Sequence, residues 1–312
     1  MERIAAVIGA GLIGRAWAMV FARAGWHVRL YDNASAQLDA ARAHIAASLS
    51  EQQAAGLVDD AAGATSRIGT VTSIEDAVAG VDWVQENLPE QVDVKREVFP
   101  KLDAHAPAAA VLASSTSAIP ASQFTEGLAG RARCLVAHPV NPPHMVPVVE
   151  LCGAPWTAAA TVERARAVMT EVGQVPVVVR RELDGFILNR LQGALLSEAM
   201  RLVGEGYVSA EDLDKTICDG LGLRWSFMGP FETIELNAPG GIPDYCARFG
   251  AVFAELASKP VTPELWGKDN IGRAVESWGR SPSPQQILDK QRWRDERLAA
   301  LVAHKKSQPQ SE

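Results

Sequence analysis

The stretch Arg3 to Asp32, RIAAVIGAGLIGRAWAMVFARAGWHVRLYD, decides the fold. Its apolar run from Arg3 to Ile8 reads as a strand that stops at Gly9. Leu12 to Ala24 carries apolar residues at helical spacing, and Gly25 is placed as a C-terminal stop. Val28 to Tyr31 reads as a second strand, closed by Asp32. Between the first strand and the helix lies Gly9-Ala10-Gly11-Leu12-Ile13-Gly14, a G-x-G-x-x-G sequence. Gly9 permits the tight turn, Gly11 lets backbone approach a pyrophosphate, and Gly14 lets helix and strand pack closely. The helix N-terminus then offers unpaired N–H groups to a diphosphate. Asp32 falls where a carboxylate accepts from both ribose hydroxyls and repels a 2'-phosphate. The residues that follow, Asn33-Ala34-Ser35, supply no Arg to receive one. Gly9, Gly11, Gly14 and Asp32 are therefore expected to bind a dinucleotide, with NAD favoured over NADP.

Outward from this core the same alternation continues. Gln37 to Gln53 is Ala-rich and helical in pattern. Asp82 to Gln85, Ala109 to Ala113 and Cys134 to Ala137 are short apolar strands, with Val92 to Leu102 a helix between the first two. Strands alternating with helices imply crossover units and a mostly parallel sheet. Beyond the proline-rich loop at Pro139, Pro142, Pro143 and Pro147 come strand-like runs Val146 to Leu151 and Val175 to Val179, around a helix from Ala158 to Val172. From Asp184 the pattern is almost purely helical: Asp184 to Glu205, Ala210 to Gly220, Asp244 to Ala257, Pro263 to Ser277 and Gln285 to Lys306, then a polar tail. The expected fold is α/β: a Rossmann-type, doubly wound, mostly parallel sheet over residues 1–183, then an all-α domain over 184–312.

Composition narrows the function classes. A chain of 312 residues fits about two domains. Thirty Lys and Arg against 37 Asp and Glu give a net charge of -7, which disfavours tracking a nucleic acid by bulk charge. No apolar run approaches the ~18 residues of a spanning helix. The start lacks an apolar segment ending in a cleavage site. No membrane or nucleic-acid partner is expected, and the cytoplasm is the expected compartment. Cys134, Cys152, Cys218 and Cys246 are scattered without a Cys-x-x-Cys pair. They read as reduced, buried thiols rather than disulfides or a metal site.

Five stretches, in this order, resemble the 3-hydroxyacyl-CoA dehydrogenase superfamily: Val7 to Asp32, Ser114 to Ser117, His138 to Pro143, Gly185 to Arg190, and Met228 to Glu232. Arg224-Trp225-Ser226-Phe227 and Asn237-Ala238 are similar to its lambda-crystallin branch, whose members act as L-gulonate 3-dehydrogenases. The resemblance implies that His138 is the general base and Glu150 its orienting carboxylate. It implies that Ser117 and Asn189 bind the reacting oxygen. It also implies that Leu12, Ile13, Asp32, Glu90 and Lys95 touch the cofactor, and that the helical domain forms a homodimer.

The residue types make sense on their own. Oxidising a secondary alcohol requires a base for the hydroxyl proton, and imidazole titrates in the right range. His138 and Ser117 follow strands, where side chains reach the crevice at the carboxyl edge of an open α/β sheet. Glu150, on the next strand-like run, is in line to fix the imidazole tautomer, and the Asn189 amide to donate to a developing alkoxide. His144, in the proline-rich loop, is the one rival base. Ala34 to Asp60 carries only Arg42 and His44 as basic residues, too few for a tight CoA clamp. A free L-3-hydroxy acid is therefore the expected small-molecule substrate, with Arg224 as its carboxylate ligand. Trp225, Phe227 and Phe231 keep a carnitine-like quaternary ammonium open. A 3-hydroxyacyl-CoA, and a non-catalytic NAD-binding structural protein, also remain open.

Overall fold

The computed structural model describes residues 2–258 and 262–308. The chain divides into two compact units, Met1–Arg190 with Gln291–Glu312, and Leu191–Lys290. Against the expected 1–183 and 184–312, residues 184–190 and the C-terminal segment group with the first unit.

The first unit is built on eight strands: β1 (Ile4–Ile8), β2 (His27–Tyr31), β3 (Ile68–Val71), β4 (Trp83–Glu86), β5 (Val111–Ser114), β6 (Cys134–Pro139), β7 (Val148–Gly153) and β8 (Val175–Val179). Their order is β3-β2-β1-β4-β5-β6-β7-β8. All neighbours are parallel except β6 and β7. The chain leaves β1 toward β2 and returns to β4 on the other side, so the sheet's winding reverses between β1 and β4. That reversal opens the crevice at the carboxyl ends where ligands bind in such folds.

Two apolar layers cover the sheet. One holds Trp17 and Phe21 of α1 (Leu12–Arg23), Leu49 of α2 (Ser35–Ala54) and Val168 of α7 (Ala159–Glu171). The other holds Val78 of α4 (Ile74–Val78), Phe99 of α5 (Val92–His105), Phe124 of α6 (Ser122–Thr125) and Phe186. Side chains alternate along each strand, so Leu135 and Ala137 enter the first layer and Cys134 and Val136 the second. His138 and Glu150 continue the second series.

Four of these elements were not anticipated: α3 (Ala61–Ser66), β3, α4 and α6. All are short, and β3 is an edge strand of the sheet. Three of β3's four residues are partly or fully exposed and one is Gly69, so the apolar signal that marks a buried strand is missing. The expected helix at Asp184 begins instead at Leu188, as α8 (Leu188–Gly204). Gly185 and Phe186 take positive φ of 74° and 47°, a left-handed turn no helix continues through.

The Leu191–Lys290 unit contains the rest of α8, then α9 (Ala210–Lys215), α10 (Gly222–Trp225), α11 (Pro230–Leu236), α12 (Gly241–Ala257) and α13 (Lys268–Trp278). Among the described residues no strand follows Val179. The buried Asn270 amide ties α13 to α8 by donating to the Met200 carbonyl at 3.1 Å. The last helix, α14 (Pro284–Ser307), matches the expected Gln285–Lys306. The end of the polar tail lies outside the described residues.

Among the described residues no helix is long and apolar enough to cross a membrane. Cys134 and Cys152 are buried as expected, and burial pushes both thiols up to about 12. Cys218 and Cys246 are exposed, contrary to expectation. Cys246 lies on α12 and Cys218 in the helical turn Thr216–Leu221, and among the described residues neither segment has a buried residue.

Candidate active site

β6 and β7 run antiparallel, and their register sets His138 directly opposite Glu150. The imidazole Nδ1 lies 2.8 Å from Glu150 Oε2, and both residues are buried. The second carboxylate oxygen, Oε1, accepts from the backbone N–H of Ile187 at 2.8 Å and of Leu188 at 3.0 Å. Glu150 therefore joins the imidazole to the first turn of α8. Burial pushes its carboxyl up, but the His138 bond and the Leu188 and Ile187 N–H groups outweigh that and hold it below the usual value. With an ionised acceptor on Nδ1, the proton sits there and Nε2 is the basic nitrogen. The Phe186 ring, fully buried, packs 5.6 Å from the imidazole and closes its apolar side.

Ser117 follows β5 in a turn that Glu90 organises. Glu90 Oε1 accepts from the N–H of Ser117 and of Ala118, each at 3.0 Å, and from the Thr116 hydroxyl. Asn189 donates its amide to the Ser117 carbonyl at 2.9 Å. One of its two N–H donors is thus committed to backbone, and the other is left for a ligand. Ser117, Asn189 and Glu90 form one hydrogen-bonded group, and His138 with Glu150 forms another. Leu188, which bonds Glu150, is the residue before Asn189. Arg224 belongs to the other unit and is exposed on α10.

The nucleotide end has the expected shape. Gly9 has φ +97°, and a Cβ on Gly14 would stand 1.8 Å from the Gly9 carbonyl oxygen. A Cβ on Gly11 would meet nothing within 4 Å, which leaves an open approach to backbone there. Gly11 caps α1 without a side-chain bond, so the first-turn N–H groups are free to face an anion. Ile13 is half-buried beside them, while Leu12 is 52% exposed for an apolar side chain. Asp32 accepts from Ala10 N–H at 2.8 Å and Ala34 N–H at 3.0 Å, which fixes its carboxylate beside the glycine turn. Its oxygens keep lone pairs for ribose hydroxyls. These residues fit a dinucleotide.

Residues 4–183 match the family model for the 3-hydroxyacyl-CoA dehydrogenase NAD binding domain, and residues 185–277 match that for the C-terminal domain. The chain belongs to the 3-hydroxyacyl-CoA dehydrogenase family. Its N-terminal domain is an NAD-binding domain. This family member is 42% identical to lambda-crystallin of Oryctolagus cuniculus, over 97% of each chain. It is 35% identical to L-carnitine dehydrogenase of a Pseudomonas species, over 95% of this chain and 92% of that one. Among solved structures it is similar to the NAD+ dependent 5-formyl-3-hydroxy-2-methylpyridine 4-carboxylic acid 5-dehydrogenase. That likeness has TM-score 0.86 and 30% identity, over 99% of this chain and 100% of the other. The Escherichia coli K12 3-hydroxybutyryl-CoA dehydrogenase gives TM-score 0.70 at 28% identity, over 90% of this chain and 60% of that one.

Within this family member, two residues expected at the cofactor have prior commitments. Lys95 is 1% exposed and its Nζ lies 2.9 and 3.1 Å from the Glu86 oxygens. Glu86 also accepts from Ser114 Oγ and, at 2.7 Å, from Leu88 N–H. Lys95 thus neutralises a buried carboxylate that shapes the loop after β4, and Glu90, at that loop's end, shapes the Ser117 turn. Sequence reasoning missed Glu86 and Phe186. A Glu ending a buried strand nine residues before a Lys was the available sign of the first. Nothing in residue type marked Phe186, because its role comes from an unusual backbone conformation. His144, the rival base, is buried, and burial together with Arg23, His44, Arg15 and Arg294 pushes it down to about 3. His138 is therefore the stronger candidate base of the two.

Proposed function

We propose that the chain is an NAD-dependent dehydrogenase that oxidises the 3-hydroxyl of an L-3-hydroxy acid to the ketone. The observation that carries this reading is the buried His138–Glu150 pair, 2.8 Å apart across the β6–β7 register. His138 Nε2 takes the hydroxyl proton, and Glu150 stabilises the imidazolium that results. NAD, when bound, supplies the acceptor for the hydride that leaves the same carbon. Ser117 and the free Asn189 N–H hold the oxygen as it gains negative charge. Gly9, Gly11, Leu12, Ile13, Gly14 and Asp32 carry the dinucleotide. In the reverse direction the imidazolium returns its proton to the alkoxide.

The substrate is a free acid of gulonate-like, polyhydroxy type, with Arg224 as its carboxylate ligand. The sparse basic residues of α2 support a free acid over a CoA thioester. The L-carnitine dehydrogenase relatives and the exposed Trp225, Phe227 and Phe231 support a 3-hydroxy betaine as the second reading. The intact set Ser117, His138 and Asn189 supports catalysis over a purely structural role. A homodimer through the helical unit is supported by exposed Leu195, Leu196, Phe249 and Phe253.

The test is NADH formation with L-gulonate, L-3-hydroxybutyrate, carnitine and L-3-hydroxybutyryl-CoA under identical conditions. A free acid is expected to give the highest kcat/KM. His138→Ala should lower turnover by about 10²–10⁴-fold and spare NAD binding. Arg224→Ala should raise KM for the acid sharply. No NADH from any substrate, or full rate in His138→Ala, refutes the proposal.

A further inference from the structure

Polar side chains gather within the first apolar layer, beneath the crevice. The strand registers set Gln85 of β4 between Val7 of β1 and Ala113 of β5, both of that layer. Its side chain therefore enters the layer under α1, and it is fully buried. Every group of its amide is engaged. Oε1 accepts from Trp83 Nε1 at 2.9 Å, while Nε2 donates to Ser115 Oγ at 2.7 Å and to the Ala137 carbonyl at 3.3 Å. Ser115 Oγ also accepts from Trp17 Nε1 at 3.0 Å and donates to Asn87 Oδ1 at 2.7 Å. Asn87 Nδ2 in turn donates to the Gln85 carbonyl at 2.8 Å and the Ile8 carbonyl at 3.4 Å. The two tryptophans fix the direction of every bond. An indole N–H can only donate, so Trp83 holds Gln85 Oε1 as acceptor and turns Nε2 toward Ser115 and Ala137. Ser115, receiving from Trp17 and Gln85, has its one proton left for Asn87.

The bond to Ala137 has a particular place in the sheet. Val140 N–H donates to the Val148 carbonyl at 3.2 Å, so Val140 with Val148 and, two residues back, His138 with Glu150 are hydrogen-bonded pairs of the β6–β7 ladder. Ala137 falls between such pairs, and its carbonyl turns away from β7 toward β5. The β5–β6 register ends at Ser114 and Val136, one residue short of Ala137. Gln85 thus reaches from β4 past the end of β5 and serves the carbonyl of the peptide that leads into His138. Its other donor bond holds Ser115, two residues before Ser117. A buried amide is costly unless all its bonds are made, and a fully bonded one confers a single geometry.

We infer that Gln85 is a positioning residue for the proposed dehydrogenation. Through the Ala137 carbonyl it sets the peptide that carries His138, and through Ser115 it sets the turn that carries Ser117. The spacing between the base and the groups that hold the reacting oxygen is thereby fixed from β4, on the face of the sheet opposite the imidazole. The inference rests on the reading of His138 as base and Ser117 as oxygen ligand.

The full-length chain, unmutated and as Gln85→Met, is assayed for initial NADH formation with the best of the four substrates, alongside NAD binding, urea unfolding and NMR of labelled histidines. Methionine is of similar length and lacks both donors. In the folded variant kcat should fall about tenfold or more, as for a reacting group displaced by up to an ångström. KM for NAD should hold, and the His138 ring resonance should move. Gln85→Met also leaves Trp83 Nε1 without its acceptor. If that variant does not fold, Gln85→Met combined with Trp83→Phe removes the orphaned donor together with the amide and is read the same way. Ser115→Ala keeps the bond from Gln85 to Ala137, so it should lower kcat less and leave the His138 resonance in place. A merely structural role would shift the urea midpoint in both variants and the His138 signal in neither. If the unmutated protein forms no NADH from any substrate, the dehydrogenase reading falls, and the His138 resonance alone decides whether Gln85 positions the ring. A kcat within twofold of the unmutated protein's, a His138 resonance that stays still in Gln85→Met, or an equal movement in Ser115→Ala overturns the inference.

Discussion

Replacing Glu150 by glutamine removes one negative charge from a carboxylate with three donors. His138 Nδ1 lies on one oxygen, and the Ile187 and Leu188 N–H groups lie on the other. A glutamine amide keeps a single acceptor, so it serves the imidazole or the α8 turn but not both. If the NH2 faces the ring, Nδ1 must become the acceptor and the proton moves to Nε2, which then cannot act as base. The His138 bond is charge-assisted, worth about 1.5–3 kcal/mol. At 1.36 kcal/mol per tenfold, its loss alone lowers kcat by roughly 10–100-fold. The tautomer change carries the loss toward ~10⁴-fold, the upper range for a positioned base. The assay is initial NADH formation at saturating NAD and substrate, alongside NAD binding and urea unfolding on the same preparation. NAD affinity should hold. The folded carboxyl sits below its usual value, so its contribution to stability is complete above the unfolded carboxyl range near 4 and fades as pH falls through the depressed value. The unfolding curves of the two proteins should therefore converge on acidification. A kcat within twofold of the unmutated protein's, with the fold intact, refutes the role proposed for Glu150.

Two further substitutions test other parts of the frame. Gly14→Ala places a Cβ 1.8 Å from the Gly9 carbonyl oxygen, and should abolish measurable NAD binding by forcing α1 away from the turn, as read by fluorescence titration. His144→Gln tests acid stability. The native imidazole stays neutral to about pH 3, whereas the unfolded chain binds that proton below pH 6.5, so His144 destabilises the fold as pH drops between those values. At pH 5 the penalty is about 2 kcal/mol, and the variant should lose less stability than the unmutated protein between pH 7 and pH 5.

Much of this was legible in the chain. Periodicity and punctuation located β1, α1 and β2 within a residue or two, and β8 to the residue: β1 is an apolar run buried along most of its length, and β8 is a run of Val and Pro that marks a strand although most of its residues are exposed. The pairing of His138 with Glu150 was expected from their places on successive strands. What stayed hidden depends on contacts across long separations or on backbone shape. The Glu90 carboxylate gathers N–H groups from 27 and 28 residues away, which no local pattern encodes. The left-handed Gly185–Phe186 pair delays α8 and frees two N–H groups for Glu150. The partial spending of Asn189 on the Ser117 carbonyl also emerges only in three dimensions.

Glu150 touches the imidazole with one oxygen and moors the leading end of α8 with the other. Ring and helix cannot be reoriented independently, because both hang from a single three-atom group. A tilt of α8 by a fraction of an ångström at its first turn is therefore felt at Nδ1. Under the proposed mechanism, substitutions along that helix, remote from any reacting atom, become a means of tuning proton transfer, and surveys of rate-altering variants should find them there.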